Sequence, residues 1–288
     1  MLGGENVTNK YKTIVDKFID WGKSSDKLYA ALIVGSQSRE DHEADEYSDL
    51  DMIMIVDNPD YYLSTDEWLS KIEKFHISFI ENTIAGGKER RVLFDGALDV
   101  DFVILSKDAM YAISGEASSI LERGYDIIID KIGLKSFISQ INIAKQSYAF
   151  PLEGDFKNIV SDFWYHSVWT AKKLQRGELW TAKLCVDSYM KWKLLSIIEC
   201  YAHAIHGIDY DTWHSGRFME EWAEPWIIEK LSKCFSHYDR EDTKVSLLAN
   251  MDLFRFVAME AAEKLNFKYP KEADEFSTKW VIENLAII

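Results

Sequence analysis

The chain has 288 residues, of which 47% are hydrophobic, which is enough apolar surface for one large core or two smaller ones and excludes disorder as its dominant state. Lysine and arginine total 33 against 48 aspartate and glutamate, giving a formal charge of −15 at pH 7. This balance argues against a protein that mainly binds nucleic-acid phosphates, and it favours a cationic small-molecule ligand.

The remaining composition predicts a soluble, cytoplasmic protein. Three cysteines without a CxxC pair indicate free thiols in a reducing compartment. The N-terminus has no apolar signal region, and no window approaches the roughly 18 uninterrupted apolar residues that a membrane span needs. We therefore expect no membrane partner and no nucleic-acid partner, and either a monomer or a homodimer.

Short strand-like runs dominate the first half of the chain. The first element is a helical spacing of apolar residues over 7–21, and a second helical pattern covers 65–75. Runs typical of strands occur at 28–34, 50–56, 76–82, 90–94 and 98–105. This order predicts a mixed sheet with helices on one face.

The second half has a different pattern. Long stretches of helical period occupy residues 156–176, 179–206 and 245–265, and they predict a helical bundle. Pro151 lies where the pattern changes, and proline resists continuing a helix. We therefore predict an α+β chain, with a mixed-sheet domain over 1–150 followed by a helical domain over 151–288.

The strongest chemical signal lies between two strand-like runs. The first run ends at Gly35 and Ser36, and the second opens with Asp49 and Asp51. Side chains alternate along a strand, so the two aspartates project from the same face. Two carboxylates so placed repel each other unless a cation lies between them, and Mg²⁺ commonly binds one or two carboxylates together with substrate phosphates. The spacing therefore predicts a site for a metal-bound nucleotide.

Two further features complete this predicted site. Gly35 lets the backbone approach a phosphate closely, and the Ser36 hydroxyl can hydrogen-bond its oxygens. A third carboxylate, Asp101, lies on a later strand, and Asp99 is its rival because both point to the same side. A carboxylate in this place could bind a second ion or accept the proton of an attacking hydroxyl.

In this order, the motifs GS, SDLD and VDFVIL resemble the signature of the nucleotidyltransferase superfamily, and more closely that of the aminoglycoside 6-adenylyltransferase family of streptomycin-modifying resistance enzymes. The resemblance continues into the second half through DFW at 162–164, AKKLQRGEL at 171–179, GRFM at 216–219 and KYP at 268–270. It implies transfer of AMP from Mg-ATP to a hydroxyl of a streptomycin-type aminoglycoside, with release of pyrophosphate. Residues 1–150 would then be the nucleotidyltransferase domain, and 151–288 a helical domain that binds substrate and nucleotide.

The resemblance also assigns roles to the motif residues. Gly35 and Ser36 become contacts to the nucleotide phosphates, and Asp49 and Asp51 become ligands of Mg²⁺, with two ions expected. Asp101 is selected over its rival as third metal ligand and general base, since it is the aspartate that precedes the FVIL run.

One position departs from the family pattern. Members of the family tend to have arginine directly after GS, but Gln37 stands there in this chain. The nearest basic residue is Arg39, which we expect to take over phosphate binding.

The helical half supplies further candidates. Lys172 and Arg176 are four residues apart on a predicted helix and are expected to meet the triphosphate, with surface ion pairing to Glu178 as the alternative. Glu178 and Asp187 are expected to hold ammonium groups of the acceptor. Most tryptophans at helical spacing are predicted core residues, with Trp164 the first expected to line the cleft.

Two other functions are compatible with these motifs. One is nucleotidyl transfer to a lincosamide or to another small molecule, because related enzymes share the carboxylate site and differ in the acceptor pocket. The other is a nucleotide-binding regulatory module of the same fold that transfers nothing, although such a module has no chemical need for all three aspartates.

Overall fold

A six-stranded mixed sheet forms the centre of the first part of the protein. The computed structural model describes residues 7–39, 41–83, 87–108, 121–141, 143 and 147–285, and the chain divides into two units, Met1–Gln146 and Ser147–Ile288. The described strands of the first unit are β1 Leu28–Val34, β2 Leu50–Val56, β3 Phe75–Asn82, β4 Lys88–Phe94, β5 Leu98–Ser106 and β6 Asp126–Asp130. Their order is β3-β4-β5-β2-β1-β6; β2 and β5 are parallel, and the other neighbours are antiparallel.

Both faces of this sheet are covered, which explains why β1 and β2 are apolar along most of their length. The described helices of the unit are α1 Asn9–Ser24, α2 Pro59–Ser64 and α3 Leu134–Ile138. On one face, Ile33 and Met52 pack in a cluster with the buried side of α1. On the other face, Leu32 and Ile53 pack in a cluster with Leu134 of α3. The prediction of helices on one face alone is therefore corrected.

Local pattern locates most of these elements. The first five strands and α1 lie where the sequence predicts them, because each is a distinct apolar run or a helical stripe of buried residues. Strand β6 was not predicted, because its apolar run at 127–129 is too short to stand out.

The predicted helix over 65–75 is wrong. The helix instead begins at Pro59, after Asn58, whose side chain accepts a hydrogen bond from the Tyr61 N–H at 3.4 Å. Residues 65–75 contain a single 3₁₀ turn at Leu69–Lys71. The residue before that turn, Trp68, is buried, and its indole N–H donates to the carbonyl of Tyr62 at 3.1 Å. Burial of apolar side chains in this irregular segment gives the same spacing in sequence as a helix would.

The second unit is helical throughout its described regular structure, as the sequence predicts. Its helices are α4 Glu153–Gln175, α5 Leu179–Leu184, α6 Met190–His206, α7 Met219–Trp222, α8 Pro225–Leu231, α9 Arg240–Leu265 and α10 Lys271–Leu285. A turn of π-helix at Cys185–Tyr189 joins α5 to α6, so the predicted helix over 179–206 is one continuous element with a local widening. The α+β fold class is confirmed.

The three cysteines are buried free thiols, which agrees with their prediction. None of the helices in the described ranges is long and apolar enough to cross a bilayer.

Candidate active site

The turn after β1 is held against an aspartate of β2. Gly35–Gln37 forms one turn of 3₁₀ helix, and the preceding Val34 lies opposite Asp51 in the β1–β2 register. Gly35 has a φ of +71°, and a Cβ atom at this position would overlap the Asp51 carboxylate. Glycine is therefore needed here both for its left-handed backbone and for this close approach.

Three carboxylates converge beside this turn. Asp49 immediately precedes β2, and Asp101 lies directly opposite Asp51 in the parallel register of β2 and β5. One carboxylate oxygen from each of the three side chains lies within 4.8 Å of the others. Among the described residues, no other group of three potential metal-ligating side chains converges in this way. The structure thus brings together the three aspartates that the sequence singles out.

Asp99 and Asp101 have different environments. The hydroxyl of Tyr11 lies 2.9 Å from a carboxylate oxygen of Asp99 and 3.0 Å from its carbonyl oxygen, so it can donate a hydrogen bond to either. Burial, reinforced by this hydrogen bond, raises the pKa of Tyr11 and keeps the phenol protonated. Asp99 is thus bonded to α1, whereas Asp101 belongs to the carboxylate cluster.

Asp101 is the carboxylate of the cluster whose ionised form is disfavoured. Burial raises the pKa of Asp101 to about 6; the nearby charges of Glu89, Asp49 and Asp99 add to this rise, and the guanidinium of Arg91 opposes it. The Asp101 side chain is only 13% exposed, which explains why desolvation dominates. A bound divalent cation would compensate the buried charge of Asp101 and reduce its repulsion by the nearby carboxylates.

Arg91 is a site residue that the sequence analysis missed. It lies opposite Asp101 in the β4–β5 register, and its Nε is 3.4 Å from Asp101, 2.8 Å from Glu89 and 2.9 Å from Glu81. No motif marks it, because a single arginine on a strand is ordinary. Its one signal is alternation along β4, which places Glu89 and Arg91 on the same face of the strand.

The GS turn has one unsatisfied polar atom and one anchored side chain. The buried Ser36 hydroxyl has no hydrogen-bond partner within the described part of the chain. Gln37 is buried as well, and its Oε1 accepts from the Thr8 N–H at 3.0 Å and the Thr8 hydroxyl at 3.2 Å, while its Nε2 donates to the Asp49 carbonyl at 3.0 Å. The Gln37 side chain therefore joins the start of α1 to the carboxylate site.

Arg39, the expected phosphate contact, is buried in the same region. Its Nε donates a hydrogen bond to the carbonyl of His42 at 2.8 Å. This bond ties Arg39 to the loop before β2.

These residues fit a divalent metal bound with phosphate. The three ligand atoms are hard carboxylate oxygens at mutually close range, which is the donor set that Mg²⁺ takes. Burial raises the pKa of Asp101, and a bound cation would stabilise its ionised form. The unsatisfied Ser36 hydroxyl follows the glycine that contacts Asp51, where a phosphate oxygen could accept its hydrogen bond.

In the second unit, the predicted basic residues lie near the C-terminal end of α4. Lys172 is exposed, with its ammonium 5.3 Å from the ring centroid of Trp280. Arg176 forms an ion pair with Glu178, which also accepts from Lys173 at 2.7 Å. These ion pairs correspond to the alternative interpretation of Arg176, and they give Glu178 two cationic partners within the protein.

Asp187 and Trp164 have contrasting positions. One carboxylate oxygen of Asp187 pairs with Lys183, and the other is buried without a partner in the described residues, beside a cavity of about 420 Å³ that Trp192 also lines. Trp164 is fully buried, and its indole N–H donates to the Tyr269 hydroxyl at 3.1 Å. Its expected place in a cleft is corrected: an aromatic residue at helical spacing has the same pattern in a core as beside a ligand.

A mixed sheet with a GS turn and three convergent carboxylates has the architecture of a nucleotidyltransferase. The comparison with protein families agrees: the model of the streptomycin adenylyltransferase family matches residues 8–283, and the chain therefore belongs to this family. This membership confirms the family resemblance and the interpretation as an enzyme. It removes the alternative of a non-catalytic module.

Curated relatives named aminoglycoside 6-adenylyltransferase are similar over nearly the whole chain. The Campylobacter jejuni protein is 20% identical over 275 residues, covering 92% of this chain and 93% of the relative. The Bacillus subtilis protein is 19% identical over 274 residues, covering 93% and 95% respectively. The Staphylococcus aureus protein is 20% identical over 271 residues, covering 90% and 93%. A crystal structure of an aminoglycoside 6-adenyltransferase from Bacillus subtilis is similar with a TM-score of 0.45 and 18% identity, covering 95% of this chain and 98% of that one.

Proposed function

We propose that this enzyme transfers AMP from Mg-ATP to a hydroxyl group of a streptomycin-type aminoglycoside and releases pyrophosphate. The observation that carries the proposal is the convergence of Asp49, Asp51 and Asp101 beside the GS turn. The names of the three relatives support the acceptor class, and the formal charge of −15 suits an acceptor that carries several amines.

In this proposal Asp49, Asp51 and Asp101 hold two Mg²⁺ ions. When bound, Mg²⁺ supplies positive charge that stabilises the triphosphate and the leaving pyrophosphate and makes the acceptor hydroxyl more acidic. The protein's own contribution is positioning, because in-line attack on a phosphorus needs alignment and charge compensation more than covalent participation.

The turn residues and Asp101 have separate proposed tasks. Gly35 lets the backbone approach the phosphates, and the Ser36 hydroxyl donates to a phosphate oxygen. Asp101 accepts the proton of the attacking hydroxyl, a role that suits a carboxylate whose pKa is raised towards neutrality.

The remaining proposed contacts are Arg39, Lys172, Arg176, Glu178 and Asp187. Arg39 and Lys172 remain proposed contacts of the triphosphate. Arg176 and Glu178 keep their proposed roles only if a ligand replaces their mutual ion pair. Asp187 is the better proposed acceptor contact, because one of its carboxylate oxygens is buried without a partner in the described residues and can accept from a ligand N–H or O–H.

An ATP labelled in its α-phosphate tests the proposal. The purified enzyme is incubated with Mg²⁺ and a panel of aminoglycosides and lincosamides, and label transfer is followed beside pyrophosphate release. We expect transfer to streptomycin-type aminoglycosides, loss of at least about a thousandfold in Asp49→Asn, and normal transfer in Asp16→Asn, which changes an exposed carboxylate of α1. Transfer to lincosamides alone would replace the acceptor class, and absence of transfer to the whole panel would refute the proposal.

A further inference from the structure

A row of side chains extends from the carboxylate cluster to the edge of the sheet. Asp51 lies opposite Asp101, Asp101 lies opposite Arg91, and Arg91 lies opposite Phe79 in three successive strand pairs. Side chains directly opposite each other on neighbouring strands lie on the same face. The contacts of the Arg91 guanidinium show that these side chains share one face, because it contacts both Asp101 of β5 and Glu81 of β3.

Strand spacing sets the length of this row. Neighbouring strands are about 4.8 Å apart, so Phe79 lies about 10 Å from Asp101 across the sheet. This distance is close to the length of two linked sugar rings. A molecule of this length, with its reacting hydroxyl at the carboxylate cluster, can therefore reach Phe79 across Arg91.

The far end of the row is apolar and open. Phe79 is 51% exposed and Ile77, two residues earlier on the same face, is 53% exposed. Both are on β3, an edge strand of the sheet. Exposed apolar side chains on an edge strand promote aggregation unless a ligand or a partner covers them.

The same face carries a charge arrangement that favours a cationic ligand. Glu81 and Glu89 lie directly opposite each other, a like-charge pair that destabilises two neighbouring strands. The single guanidinium of Arg91 lies between them, at 2.9 and 2.8 Å, which leaves one surplus negative charge. The Glu89 side chain is 12% exposed, so this negative charge is poorly screened.

We propose that Ile77, Phe79, Glu81, Glu89 and Arg91 form an acceptor platform that recognises the amine-bearing sugar acceptor. This inference rests on the proposed function and identifies residues that select its second substrate. The apolar face of a sugar ring packs on Phe79, and an acceptor ammonium group binds the surplus charge of Glu81 and Glu89. The platform sets the affinity for the acceptor, whereas the carboxylate cluster performs the transfer.

The test compares Phe79→Ala with Ile80→Ala in the full-length enzyme. Ile80 is the matched control, because it is the next residue of β3, lies on the opposite face and is 39% exposed. We expect Phe79→Ala to raise the KM for the aminoglycoside about fivefold or more, from the loss of ring packing, while kcat and the KM for ATP change less than about twofold. Glu81→Gln should raise the same KM and reduce its dependence on salt. Ile80→Ala should change none of these values.

Each other outcome has a defined meaning. An unchanged acceptor KM in both Phe79→Ala and Glu81→Gln, with normal transfer in the wild type, overturns the platform and leaves the proposed function intact. A wild-type dimer that Phe79→Ala converts to a monomer in light-scattering measurements also overturns it, since a second copy would then cover β3. If the wild type transfers AMP to no aminoglycoside, calorimetric titration with streptomycin decides: binding that is weakened about fivefold or more in Phe79→Ala but unchanged in Ile80→Ala sustains the platform, and absence of binding to the wild type refutes it.

Discussion

Asp51 and Asp101 lie directly opposite each other on the parallel strands β2 and β5, although they are distant in sequence. Parallel neighbours in register place their side chains on one face, so this relationship alone brings two carboxylates to the distance of a shared cation. Without a cation, burial and the nearby charges of Glu89, Asp49 and Asp99 disfavour the ionised form of Asp101. Activity and metal-free stability should therefore respond in opposite directions when the charge of Asp101 is removed.

The first prediction concerns Asp101→Asn. The amide has the shape of the carboxylate without its charge, so the desolvation and repulsion that raise the pKa of Asp101 disappear. We expect the metal-free variant at pH 8 to gain about 2 to 3 kcal/mol in its free energy of unfolding, while AMP transfer falls at least about a thousandfold. Urea unfolding in EDTA and the label-transfer assay measure the two effects. A variant that is both less stable and inactive would indicate that Asp101 supports the fold rather than a metal.

The second prediction concerns pH. Asp101 has a pKa of about 6 in the folded protein against an ordinary value of 3.8, so the folded state binds the proton more tightly. Its contribution to stability is therefore fully present below about pH 4 and is lost as the pH rises through about 6, a change of about 2 to 3 kcal/mol. Urea unfolding of the metal-free enzyme between about pH 4 and pH 8 should show this decline, and Asp101→Asn should lack it.

Metal binding gives the complementary pH dependence. A proton and Mg²⁺ compete for the same carboxylate oxygens, so the Mg²⁺ concentration needed for half-maximal activity should fall as the pH rises through about 6. An Mg²⁺ requirement independent of pH between about 5 and 8 would argue against Asp101 as a ligand.

The third prediction concerns two glycines with similar backbones. Gly35 and Gly133 have φ values of +71° and +78°, but a Cβ at Gly35 would overlap the Asp51 carboxylate, whereas a Cβ at Gly133 would meet nothing within 4 Å. Both Gly→Ala variants should lose about 1 kcal/mol of stability from the left-handed backbone. Gly35→Ala should also lose AMP transfer, because Asp51 must move, and Gly133→Ala should retain it. Equal activity in the two variants would show that the approach of Gly35 to Asp51 is not needed.

Most of the candidate site is visible in the sequence because its parts are local. A glycine and serine after one strand, and two aspartates at the start of the next, are close together in the chain and need only the antiparallel pairing of β1 and β2 to meet. The strands are equally local features, since short apolar runs such as those at 28–34 and 50–56 are typical of strands buried on both faces.

The rest depends on pairing between distant strands. No pattern specifies that β2 and β5 are parallel and in register, so the choice of Asp101 over Asp99 came from family resemblance, and the bond from Tyr11 to Asp99 emerged only in the structure. Arg91 was missed for the same reason, because its importance comes from its position beside β5. The prediction that Trp164 lines a cleft was wrong, because helical spacing indicates that a side chain is buried but not whether it packs in the core or beside a ligand.

The last prediction concerns Gln37, the residue that follows the GS pair. The Gln37 side chain is buried, accepts two hydrogen bonds from Thr8 and donates one to the carbonyl of Asp49. In Gln37→Arg, the guanidinium has no oxygen that can accept the hydrogen bond of the Thr8 N–H, and the guanidinium charge would be buried away from water. We expect a loss of about 2 to 3 kcal/mol in the free energy of unfolding, because the Thr8 donors lose their acceptor and the guanidinium is desolvated, whereas its N–H groups can still donate to the Asp49 carbonyl. Gln37→Glu is the complementary variant: it keeps both acceptor bonds from Thr8 but has no donor for the Asp49 carbonyl, so it should raise the Mg²⁺ requirement. Should Gln37→Arg instead prove neutral in stability and bind ATP more tightly, the position would be a phosphate contact, and the anchoring of Asp49 would depend on other residues.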